Sequence, residues 1–129
     1  MVGSYKGLRA WKLSMEMAME ADRQTEGLPR EERYGLTSRL RRARVSVASN
    51  IAEGKGRSSD KGACTFLHHA RGSLLEVETQ LLIAEGLRYV SETETRRLLR
   101  LVEVLAKTLN ALIESLNPMA ASVPQLRLV

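Results

Sequence analysis

Leu98–Leu116 reads LLRLVEVLAKTLNALIESL, and within it Leu98, Val102, Leu105, Leu109, Leu112 and Leu116 recur at steps of four and three residues. That spacing puts them on one side of a helix as a heptad seam, which favours near-antiparallel packing at small left-handed crossing angles. Such a helix needs partners for its apolar side, and the rest of the chain supplies them.

Immediately upstream, Ser91-Glu92-Thr93-Glu94 reads as a capping box, so this last helix runs over about 92–116. Asn117-Pro118 ends it, and 118–129 reads as a flexible tail. The preceding helix, about 60–85, aligns Ala63, Phe66, Leu67, Ala70, Leu74, Val77, Leu81 and Ala84, with Ser59 as N-cap and Gly86 as a permissive C-terminal residue. Before it, Leu36, Leu40, Ala43, Val47 and Ile51 mark a helix over about 31–54, closed by the small polar break Gly54–Ser59. The first helix, about 8–25, aligns Leu8, Trp11, Met15 and Met19 and stops at Glu26-Gly27-Leu28-Pro29. Nothing alternates with period two. Four amphipathic helices joined by short breaks predict an all-α fold, an up-and-down antiparallel four-helix bundle, as one domain over 1–129.

Composition agrees with that expectation. The chain has 129 residues, 43% hydrophobic but only 4% aromatic, so Leu, Ala, Val and Met must fill the core. Lys and Arg number 20 against 15 Asp and Glu, a formal charge of +5 and a pI near 9.8, which suits a polyanionic partner. Cys64 is the single cysteine, so there is no intramolecular disulfide or cysteine-based zinc cluster, and a reducing cytoplasm is the expected location. Neither an export signal at Met1–Trp11 nor a membrane-spanning apolar run is read from the sequence.

Projected at about 100° per residue, two helices carry apolar residues on a second side. On the first, Ala10, Leu13, Met17 and Ala21 fall opposite Leu8, Met15 and Met19; on the second, Tyr34, Val45, Ala48 and Ala52 fall opposite Leu36, Leu40 and Val47. The third helix adds Leu75, Leu82 and Ile83 off its main stripe. Aligned outer stripes of this kind mark association, so the chain is expected to form a homo-oligomer through those eight positions of the first two helices.

The positive surplus is local. Arg39, Arg41, Arg42, Arg44, Lys55, Arg57 and Lys61 are opposed within their stretch only by Glu53 and Asp60. The planar guanidinium suits phosphate oxygens, so these residues are the candidate contacts to RNA or DNA; the competing reading is a protein-interaction scaffold whose arginines serve subunit or partner contacts, pairing with acidic residues such as Glu53, Glu76 and Glu78 of neighbouring helices or subunits. A grip on phosphate alone carries no sequence preference. Arg41, lying within the outer stripe, reads as the most structural of the arginines, and Arg39, Arg42 and Arg44 as the better phosphate contacts.

Residues for catalysis are not evident. His68 and His69 are adjacent, point about 100° apart and cannot share one ion from one helix face. Glu76 and Glu78 diverge and lack the Glu-x-x-His pattern of di-iron bundles, and Gly54-Lys55-Gly56 lacks the spacing of a phosphate loop. Cys64 has no histidine placed as its base. The expectation is therefore a non-enzyme with no metal and no cofactor.

The blocks Glu32-Arg33-Tyr34-Gly35-Leu36-Thr37-Ser38, Leu40-Arg41-Arg42-Ala43 and Ser49-Asn50-Ile51-Ala52-Glu53-Gly54, followed by Gly72-Ser73-Leu74, Glu76 and Glu78-Thr79-Gln80-Leu81, form a specific pattern. It resembles the bacterial four-helix-bundle family encoded in intervening sequences of large-subunit ribosomal RNA genes, and is similar to a relative, the accessory variability determinant of diversity-generating retroelements. The resemblance spans roughly Tyr5 to Leu116. It implies a ring-shaped homopentamer with a basic surface and no known enzymatic activity, and for the retroelement relative, binding of a reverse transcriptase and structured RNA. Arg41 and Arg42 match the family's basic pair, and Asn50 and Glu53 its polar block. Departures are Ala48 where proline is frequent, Arg44 where a small apolar residue is usual, and His68 and His69.

Overall fold

The computed structural model describes residues 3–116, and the tail expected over 118–129 lies outside them. Four helices, α1 (Arg9–Thr25), α2 (Leu36–Lys55), α3 (Asp60–Gly86) and α4 (Glu92–Leu116), are joined by short connections, with single turns of 3-10 helix at Tyr5–Gly7 and Arg30–Glu32. The described residues hold no strand. Each helix packs on its neighbours in sequence, α1 and α4 close the square, and the diagonal pairs do not meet. Side-chain bonds fix the directions: Ser46 meets Ser73, Arg71 meets Asn110 and Arg96 meets Glu85, so residue numbers rise on one helix as they fall on the next. The result is an antiparallel four-helix bundle. No helix among the described residues is long and apolar enough to cross a membrane.

Local chemistry sets the ends. Ser59 accepts from the Gly62 amide and Ser91 from the Glu94 amide, capping α3 and α4. α3 closes with Tyr89 N–H donating to Ala84 C=O and Arg88 N–H to Glu85 C=O, the paired bonds of a Schellman end. The left-handed residue of that end is Arg88, at φ 63°, and Gly86, expected to supply it, is the last helical residue instead. A left-handed arginine costs about 1–2 kcal/mol, which the two bonds help offset.

The second helix differs from expectation at its start. It begins at Leu36, not near 31, because Arg30–Glu32 winds as 3-10 and Gly35 N–H bonds back to Glu32 C=O, interrupting the helical ladder. Tyr34 therefore sits in a turn, 88% exposed, with the Arg33 guanidinium 5.6 Å from its ring centre. Tyr89 O–H, donating to Glu32 at 3.0 Å, ties this turn to the α3–α4 connection.

The core runs the length of the bundle through Met17, Leu40, Val47, Ile51, Leu67, Leu74, Val77, Leu81, Leu98, Leu105 and Leu109. Each large side chain so buried contributes about 1.5–3 kcal/mol relative to leaving it in water. On α4 the seam finishes at Ile113, with Leu112 and Leu116 half-buried beside it. Gly54 marks the close approach of α2 to α3: a Cβ there would lie 3.1 Å from the Ala63 carbonyl oxygen and 3.4 Å from Leu67.

The expected outer stripe of α1 is its core side. Ala10, Met17 and Ala21 are buried within one chain, and on α2 so is Ala48; only Tyr34 and Val45 of the eight positions are exposed, with Leu13 and Ala52 half-buried. The physical reason is size. α1 turns its small residues Ala10, Ser14, Ala18 and Ala21 inward, which lets it approach its neighbours, and leaves Met19 53% exposed. Ser14 and Thr25 tolerate burial because their hydroxyls donate to their own helix, at the Trp11 and Asp22 carbonyls, both at 2.6 Å.

Candidate functional site

The seven basic candidates separate into those already engaged and those free to engage something else. Asp22 on α1 takes two arginines of α2: Arg44 Nη2 at 3.0 Å and Arg41 Nε at 3.6 Å. The Arg44 side chain is only 19% exposed and its Nε is buried, so the extra arginine of this sequence is pinned between α1 and α2. Arg44, read as a phosphate contact, is thus the least available of the arginines, and Arg41 is partly committed. Arg57 pairs with Glu53 at 2.8 Å and lies 4.3 Å from the centre of the Phe66 ring. Lys55 is half-buried and engaged. Lys61 is exposed beside a cavity of ≈ 540 Å³ lined also by Asp60, Cys64, Thr65, His68 and Leu116.

Arg39 and Arg42 remain. Both are exposed, neither forms an ion pair among the described residues, and they line one cleft of ≈ 550 Å³ between α2 and α3 with Ala43, Ser46, Ser73, Glu76 and Gln80. Helical geometry brings them together: positions 39, 42, 43 and 46 share one side of α2, and 73, 76 and 80 share the side of α3 that meets it. Inside the cleft Ser46 Oγ and Ser73 Oγ are 2.8 Å apart, and Asn50 Nδ2 donates to the Ser46 carbonyl at 2.8 Å and its hydroxyl at 3.0 Å. Gln80 Oε1 is buried with no hydrogen-bond partner among the described residues.

The side of α3 that lines the cleft continues along the helix beyond it. On α3 the stripe Phe66, His69, Ser73, Glu76, Gln80 advances in steps of three and four, and its far end carries Phe66 edge-on to His69, ring centres 6.0 Å apart, with Arg57 over the Phe66 ring. Sequence reading named Arg39 and Arg42 but missed Ser46, Ser73 and Gln80; the signal was this second three-four stripe on α3, masked by the more hydrophobic one.

The other reactive groups are inert or scattered. Burial first, and the Asp60 carboxylate second, push the Cys64 thiol up, away from a nucleophilic thiolate. Partial burial first, then the Arg71 and His69 charges, hold His68 below the ordinary histidine range, so its neutral ring accepts from Arg71 at 2.9 Å. Among the described residues no three His, Cys, Asp or Glu side chains converge as a metal site.

Large apolar residues are exposed on all four helices and in two connections, among them Met19, Val45, Leu75, Leu82, Ile83 and Val104. Met19 and Val45 lie on the two helices that Asp22 joins. Leu75 and Leu82, seven apart, lie on the side of α3 from which Arg71 and Glu85 reach α4. Because α1–α2 and α3–α4 are opposite sides of the square, the two pairs are carried by opposite sides of one chain.

A family model described as the 23S rRNA-intervening sequence protein matches residues 6–111, and the chain belongs to that family. No curated protein matches it. Among solved structures, the chain is similar to a protein of unknown function from the S23 ribosomal protein family of Bacteroides thetaiotaomicron, with a TM-score of 0.75 and 19% identity over 81% of this chain and 98% of that one. At that identity the likeness is one of fold.

Proposed function

We propose that this member of the 23S rRNA-intervening sequence protein family is a non-enzymatic, self-associating bundle that binds RNA through the α2–α3 groove. The observation that carries the reading is the contrast among its arginines: Arg41, Arg44 and Arg57 have carboxylate partners within the chain, whereas Arg39 and Arg42 form no ion pair among the described residues and share one cleft. Unpaired guanidinium groups grouped on one surface suit phosphate oxygens, and binding by them releases counterions.

Self-association is supported by the two exposed apolar pairs on opposite sides of the chain, Met19 with Val45 and Leu75 with Leu82. A two-fold dimer uses one patch twice, whereas contact between two different patches of the same chain repeats head to tail and closes into a ring where the rotation per subunit allows, or runs on as a filament where it does not. The ring, a homopentamer in the reading from resemblance, repeats the α2–α3 groove once per subunit. In sedimentation equilibrium at micromolar concentration the mass is expected to be several times that of one chain, and a mass equal to one chain overturns this half of the proposal.

Fluorescence anisotropy with a structured RNA tests the other half. Affinity is expected to fall about tenfold or more between 50 and 200 mM salt, and Arg39→Glu combined with Arg42→Glu to weaken binding by at least as much at low salt. Undiminished binding by that double variant, or no binding by the wild type at low salt, overturns the RNA reading. In the latter case the competing reading of a protein-interaction scaffold stands.

A further inference from the structure

A surface that grips phosphates alone gains nothing from a carboxylate, yet Glu76 stands in the same cleft as Arg39 and Arg42 and forms an ion pair with neither. The cleft is also divided by chemistry. α2 lines it with guanidinium donors, while α3 lines it with the Glu76 carboxylate and the partnerless Gln80 amide oxygen, both acceptors. Between them, Ser46 Oγ and Ser73 Oγ share one hydrogen bond in which either can donate, and Ser46 Oγ also accepts from Asn50, so the pair offers a ligand both a hydroxyl donor and acceptors.

A planar base entering between the helices meets donors along one edge and acceptors along the other. Guanine fits that division: its O6 and N7 accept from arginine, and its N1–H and N2–H₂ donate to a carboxylate. Adenine presents an acceptor at N1 where the carboxylate sits. The volume of ≈ 550 Å³ lies within the about 300–1,000 Å³ typical of ligand pockets. Along that side of α3, from Gln80 to Phe66, the helix advances by about 21 Å, the length of about six stacked nucleotides. There the His69 ring beside Phe66 and the guanidinium of Arg57 offer flat surfaces for a further base.

We infer that the α2–α3 groove takes an unpaired stretch of RNA and reads a guanine at its Arg39, Arg42, Glu76 and Gln80 end. This rests on the RNA reading above and sharpens it from phosphate contact to base readout, which requires bases released from a duplex. The groove therefore discriminates by sequence.

The test uses labelled uridine-rich single-stranded octamers carrying one central guanosine, adenosine or inosine, with anisotropy read at low and moderate salt. The guanosine octamer is expected to bind about tenfold tighter than the adenosine one, with inosine, which lacks the N2 amine, in between. Pairing the guanosine octamer with its complement is expected to weaken it. Glu76→Ala, and independently Gln80→Ala, are expected to level the guanosine and adenosine octamers while leaving the salt slope of the wild type, with circular dichroism confirming the helical fold of each. Equal binding of all octamers with a steep salt slope overturns base readout and leaves the phosphate reading standing. Absence of binding to every octamer and to structured RNA overturns both. Displacement by GMP at octamer concentrations identifies a free nucleotide as the ligand and overturns the strand.

Discussion

Met17→Lys is expected to abolish the cooperative thermal unfolding transition, whereas Met19→Lys, two residues away, retains the helical circular dichroism spectrum and a cooperative melt. Met17 is fully buried in the core and Met19 is 53% exposed. An ammonium forced into the Met17 site has no acidic partner in the surrounding core cluster. Burying such a charge costs several kcal/mol after relaxation, against a total stability of about 5–15 kcal/mol for a domain. A lysine at 19 keeps its charge in water, where surface substitutions change stability by about 0.5 kcal/mol or less. Equal melting of the two variants contradicts the assignment of α1's inner side.

Leu67→Ala is expected to destabilise by about 3 kcal/mol, within the about 2–5 kcal/mol range of buried leucine truncations, and to lower Tm by about 10 °C. Leu67 is fully buried and forms the wall against which Gly54 brings α2 to α3. Because that approach leaves backbone on one side, the cavity cannot close by a small shift of side chains alone, which puts the loss toward the middle of the range rather than its floor. Chemical denaturation followed by circular dichroism measures the first effect, and a loss under 1 kcal/mol contradicts the packing described.

Much of the fold was legible because the signals are local and repeated. The heptad steps from Leu98 to Leu109, the serine caps at Ser59 and Ser91 and the Gly-Pro break before Pro29 each report geometry within a few residues. The start of α2 was misread because the charged residues from Glu31 to Arg33 suit a helix, and only hydrogen bonds closing three residues apart show that Arg30–Glu32 winds as 3-10 and leads into a turn through Gly35. The inner side of α1 was misread because hydrophobicity ranks Met15 and Met19 above Ala10, Ser14 and Ala21, whereas close helix packing selects small residues. Of the site, Arg39 and Arg42 stood out by charge, but Arg44 looked equally available until Asp22 appeared beside it from another helix.

By itself, then, the sequence determined the all-α class, the number of helices, the packing of α2, α3 and most of α4, and the location of the surplus charge. These are properties of residues three or four apart on one helix, which backbone periodicity alone reports. The tertiary structure decided which arginines are spent on Asp22 and Glu53, which are left facing the α2–α3 cleft, and that Ser73, Glu76 and Gln80 share it with them. Those facts depend on the register and spacing of two helices, of which the close approach of Gly54 to Ala63 and Leu67 is one mark, and no single helix carries that information.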